Sequence, residues 1–216
     1  MENAFLMESF NLESLVFSKP KKHGDFMVCK IKYPDSENGL FKLQFPKMKV
    51  VSETPSVKNV ELEFTSESGY NKKIYNYLSK IDDITVAHIT NNSEEWFGKT
   101  IPHENIHQMY NKFIKSPKTS DNRCTINFSF NKNNVILDKR NEPLDFDEIK
   151  KDTLVECIAQ MKYLIFSKDS AFVNWEICTA KVYKKLLRVP KNGFIEDPDD
   201  RILEDSDDDI DVNSFY

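Results

Sequence analysis

Cys124-Thr125-Ile126-Asn127-Phe128-Ser129-Phe130 alternates apolar and polar side chains without a break. Period two puts Cys124, Ile126, Phe128 and Phe130 on one face of a strand and the hydroxyl and amide groups on the other. The same rhythm recurs through the chain. It runs from Met27 to Tyr33 on odd numbers, through Phe41, Leu43 and Phe45, and through Val60, Leu62 and Phe64. Towards the end, 153–167 and 171–187 read as two long strands around a Lys168-Asp169-Ser170 turn, with Val173, Trp175 and Ile177 pointing together.

Two stretches break the alternation. Ile74, Leu78, Ile81 and Thr85 fall three or four apart, which predicts a helix over 70–88 with Ser68 as its cap. A shorter helix is expected after Pro102, with Ile106, Met109, Tyr110 and Phe113 as its stripe and Pro117 as its stop. Helices inserted between blocks of strands fit a Greek-key barrel or sandwich, not a doubly wound sheet. The expected class is mainly β, with a helical insert.

The 216 residues suit one domain and a tail. The formal charge of −5 conceals a division. Residues 196–216 carry ten acids against Arg201, a net −9, which leaves 29 Lys and Arg against 25 Asp and Glu, or +4, on residues 1–195. So acidic a segment is expected to be disordered. It ends in Asp207-Asp208-Asp209 and, at the terminus, Phe215-Tyr216. Such a tail reads either as a solubilising segment or as one that competes for a basic groove and docks partners.

The amino-terminal stretch is interrupted by Glu2, Glu8 and Glu13 and lacks a leading Lys or Arg, so no signal peptide is expected. No window has the apolar length of a membrane span. Cys29, Cys124, Cys157 and Cys178 are widely spaced within apolar or alternating segments, and we read them as reduced core residues.

His103-Glu104-Asn105-Ile106-His107 matches the pattern by which two histidines one helical turn apart hold zinc with a glutamate as base. Pro102 places His103 in the first helical turn, and no histidine follows His107 to complete a ligand set. A zinc hydrolase is therefore the minority reading, and neither a metal nor a cofactor is expected.

Basic residues interleave with rings. Lys19, Lys21 and Lys22 form a basic loop; Lys42, Lys47 and Lys49 flank Phe45; Arg123, Phe128, Phe130 and Lys132 share one strand and its turn; Lys184, Lys185 and Arg188 end the last strand. Cations that follow phosphates, beside rings on which bases stack, are what sequence-tolerant single-strand binding requires. Tyr33 and Trp96 are further candidate rings, and rings inside a barrel would instead be core. Lysines alternating along a strand also keep any exposed face wet.

Three segments carry a resemblance. Phe41-Lys42-Leu43-Gln44-Phe45-Pro46-Lys47-Met48-Lys49-Val50, Trp96-Phe97-Gly98-Lys99, and Phe172-Val173-Asn174-Trp175-Glu176 through Lys181-Val182-Tyr183 resemble, in order, stretches of the single-stranded-DNA-binding proteins of nucleocytoplasmic large DNA viruses. The resemblance implies an oligonucleotide-binding barrel that coats single strands during viral genome replication in the viral factory or nucleus. It implies single-stranded DNA and replication proteins as partners, the latter through the tail. A structural or adaptor protein acting through its tail is the other non-enzymatic reading.

Overall fold

The computed structural model describes residues 10–36, 38–53, 56, 59–65, 69–116 and 123–183, without the side chains of 131–133. The chain divides into a body, Met1–Lys185, and a second unit, Leu186–Tyr216, which contains none of the described residues. The acidic tail and its terminal rings therefore lie outside them.

Ten strands carry the body: β1 (Val16–Phe17), β2 (Lys21–His23), β3 (Phe26–Lys32), β4 (Phe41–Val50), β5 (Val60–Thr65), β6 (Tyr110–Asn111), β7 (Ile114–Lys115), β8 (Arg123–Asp138), β9 (Leu154–Phe166) and β10 (Ala171–Tyr183). Five of them pair in a closed ring. β9 pairs with β4, β4 with β5, β5 with β8, β8 with β10, and β10 returns to β9. Only the β8–β10 junction of this ring is parallel. On the edge of β9 that carries β4 along 154–161, the 163–166 end pairs with β3 instead. The β2–β3 hairpin thereby widens the sheet beyond the ring.

Alternation does what the sequence predicts. Phe41, Leu43, Phe45, Leu62, Ile126, Phe128 and Trp175 are all within 1% of complete burial. Phe45 meets Phe128 at 4.9 Å and Trp175 at 5.6 Å, both edge to face. Three cysteines are buried and Cys178 is half-buried, and all four are free thiols. Desolvation pushes the Cys29 thiol up to about 12.

The long helix α1 (Gly69–Phe97) buries Ile74, Leu78, Ile81 and Thr85, as the spacing predicts. It runs nine residues past His88. Ile89, Ser93 and Trp96 continue the buried stripe, and Thr90 and Asn92 donate to the carbonyls of Val86 and His88 instead of breaking the ladder. Gly98, at φ +70°, ends it. Ser68 lies outside the described residues. The second helix α2 (His103–Met109) is shorter than expected: Tyr110 already belongs to β6, and Phe113 lies in a bend just before β7. Their three-residue spacing mimics a helical stripe, but backbone pairing with β10 and β8 wins. No helix among the described residues is long and apolar enough to cross a membrane.

Candidate nucleic-acid interface

Pairing register places side chains in lateral rows, since directly opposed residues share a face of the sheet. Lys21 opposes Val28, Val28 opposes Ile165, Ile165 opposes Phe172, and Phe172 opposes Asn111. The next row runs Lys30, Tyr163, Asn174, and Asn174 donates its amide to Ser129 Oγ at 3.1 Å. None of these residues is buried, so both rows lie on the outer face. Phe172 and Tyr163 present partly open rings at its centre. Lys21 and Lys30 stand exposed at one margin, and neither makes an ion pair among the described residues.

At the other margin the face drops into an open cleft of about 710 Å³. It lies between the 110–116 segment, β8 and β10. Its walls include Phe113, Phe128 and Trp175, with Phe113 stacked on Trp175 at 5.1 Å and 21° between planes. Exposed Lys112 and Lys115 stand at the rim. The 110–116 segment is fastened to α1 by Asp82, a buried carboxylate that accepts from Tyr110 Oη at 2.7 Å and from the Phe113 N–H at 3.2 Å. Burial raises the Asp82 pKa to about 6, against the lowering effect of those two hydrogen bonds and of the Lys112 charge.

The expected site residues do not converge. Phe45, Phe128 and Phe130 are 0%, 1% and 6% exposed, so their rings belong to the core and offer no face to a base. Tyr33 and Trp96 are buried as well. Burial follows from the alternation itself, which turns these rings inward with Leu43, Ile126 and Cys124. Lys42, Lys47 and Lys49 do share the outer side of β4, but Lys49 lies 2.7 Å from Asp152 and Lys47 sits over the Tyr183 ring. Arg123 faces Glu63 at 3.8 Å, on a β5–β8 face where Glu61 accepts from Thr125. Lys19 stands 3.8 Å from Glu95 of α1. Lys21 and Lys22 lie on the hairpin, and Lys21 alone of the expected cations opens one of the two rows. The Lys132 side chain and Lys184, Lys185 and Arg188 lie outside the described residues, as do Asp207, Asp208, Asp209, Phe215 and Tyr216.

Sequence reasoning missed Lys30, Tyr163, Phe172, Lys112 and Lys115. Phe172 was legible: it holds the outward register between buried Ala171 and Val173. Tyr163 was concealed by a bulge in β9, where Lys162 is the extra residue opposite Asn174 and Trp175, so that Lys162 and Tyr163 turn outward in succession.

His103, Glu104 and His107 are all exposed on a seven-residue helix. No group of three or more His, Cys, Asp or Glu among the described residues is placed to hold a metal ion.

The fold resembles that of solved structures to differing degrees. One is gp2.5, a single-stranded DNA binding protein encoded by bacteriophage T7, at a TM-score of 0.52 and 10% identity, covering 73% of this chain and all of that one. The single-stranded DNA-binding protein of bacteriophage Enc34 aligns at 15% identity over 87% of this chain and 99% of its own, and its C-terminal truncation over 81% and 97%. Their TM-scores, 0.42 and 0.43, are too low to bear on the fold. No curated protein matches the sequence. Residues 50–197 match the family of unknown function DUF5871, and the chain belongs to that family.

Proposed function

We propose that this chain is a non-enzymatic single-stranded-DNA-binding protein of oligonucleotide-binding type. The observation that carries the reading is the outer face of β3, β9, β10 and β6, where two accessible rings lie beside Lys21 and Lys30, which make no ion pair among the described residues. Rings take bases and ammonium groups take phosphates, so such a face holds a single strand without reading its sequence. The ring order, with one parallel junction, supports the Greek-key barrel. The fold shared with the T7 protein, itself a single-stranded DNA binding protein, agrees with it. We further propose that the protein coats single strands during genome replication of a large DNA virus. In this account the acidic tail competes for the lysine margins and docks replication proteins through Phe215 and Tyr216.

The test is anisotropy of a labelled oligo-dT over a series of salt concentrations, with the full chain and with a version ending at Ile195. Binding should weaken steeply with salt and tighten on removal of the tail. Salt-insensitive binding, or none at low salt, contradicts the reading.

A further inference from the structure

Two residues that line the cleft each carry a buried polar atom with no hydrogen-bond partner among the described residues: Trp175 Nε1, a donor, and Asn127 Oδ1, an acceptor. Trp175 is 99% buried by its 1% exposure, and it lines the cleft together with Asn127 and Phe113. A buried donor left unsatisfied is destabilising, and native proteins rarely leave one without a use. Here an unmet donor and an unmet acceptor belong to residues of the same lining, next to a stacked pair of rings and two rim lysines.

We infer that this cleft takes one nucleobase of the bound strand, drawn off the outer face. This rests on the single-strand reading above and adds a base pocket to it. Trp175 Nε1 donates to a ring carbonyl, Asn127 Oδ1 accepts from a ring or exocyclic N–H, and Lys112 and Lys115 hold the adjoining phosphates. Phe172 and Asn174 line both the outer face and the cleft, so a strand crossing the face reaches the opening without a gap. The volume, about 710 Å³, is in the range that holds a small organic ligand. Thymine and guanine each offer a ring carbonyl beside a ring N–H, whereas adenine has no carbonyl to meet Trp175. The pocket thus adds a base preference to an otherwise sequence-tolerant surface.

The experiment compares three strands of one length on the full chain: oligo-dT, the same strand with abasic sites, and oligo-dA. The expected result is an affinity for oligo-dT at least about fivefold above either of the others, the factor that one net hydrogen bond supplies. Asn127→Ala should shrink that ratio while leaving abasic binding and the melting temperature unchanged. In a Trp96→Phe background, Trp175 emission should shift with dT and not with the abasic strand. Equal affinity for dT and dA strands, or a ratio that survives Asn127→Ala, overturns the base pocket and leaves single-strand binding standing. Absence of binding to every strand at low salt overturns both.

Discussion

Tyr110 donates its phenolic hydrogen to Asp82 at 2.7 Å, so one wall of the cleft is fastened to the long helix through a buried carboxyl group. Desolvation sets the Asp82 pKa at about 6, above its ordinary 3.8, and neighbouring Asp83 adds to the rise. The folded protein therefore holds this proton more tightly than the unfolded chain. Stability from this group is fully present below about pH 4 and is lost as pH rises through 6. Asp82→Asn removes that slope. Thermal melts of both proteins from pH 4.5 to 7.5 should show the wild type losing ground to the variant as pH rises, and parallel curves would contradict the assignment.

Phe45 should behave as a core ring. Phe45→Ala is expected to cost about 3–5 kcal/mol of stability, the range for a buried Phe truncated to Ala. Phe45→Leu keeps most of the volume and should leave oligonucleotide affinity within twofold of wild type, about the scatter of such titrations. A tenfold loss of affinity in the Leu variant at unchanged melting temperature would return Phe45 to the binding surface.

Tyr163 and Phe172 should behave in the opposite way. Each is half-buried on the outer face, and replacement by Ala should weaken oligo-dT binding by about 1–3 kcal/mol with a smaller effect on denaturant midpoint. Chemical denaturation run beside the titration separates the two. Affinity that follows stability alone would make them packing residues.

Lys30 and Lys21 stand at one margin without acidic partners among the described residues, whereas Arg123 and Lys49 already face carboxylates. Lys30→Ala should flatten the plot of log affinity against log salt by about 0.7, the contribution of one phosphate contact on a single strand. Arg123→Ala should leave the slope unchanged. An unaltered slope for Lys30→Ala and Lys21→Ala together would place the strand elsewhere.

Much of the architecture could be read from periodicity, because a face that must be buried leaves a period-two or period-3.6 trace. Phe41 to Phe45, Val60 to Phe64 and Cys124 to Phe130 lie on strands with their apolar side chains inward, and Ile74 to Thr85 lie on a helix. The site was harder. Alternation identifies Phe45, Phe128 and Phe130 as rings beside basic residues, yet the same alternation turns them into the core. Which outward residues become neighbours depends on register between strands far apart in sequence. Lys30, Tyr163 and Asn174 meet only because β3 and β10 both pair with β9. Tyr110 and Phe113 follow helical spacing, but Tyr110 pairs with β10 and Phe113 lies in the bend before β7, and the cleft they border left no trace in local pattern.

The most direct test of single-strand binding at this face is photo-crosslinking of a 5-iodouracil-substituted oligonucleotide to the full chain, with adducts mapped by mass spectrometry. The account predicts adducts on Tyr163 and Phe172, lost when salt is raised. Adducts confined to the β5–β8 face around Glu61 and Glu63, or no adducts at low salt, would contradict it.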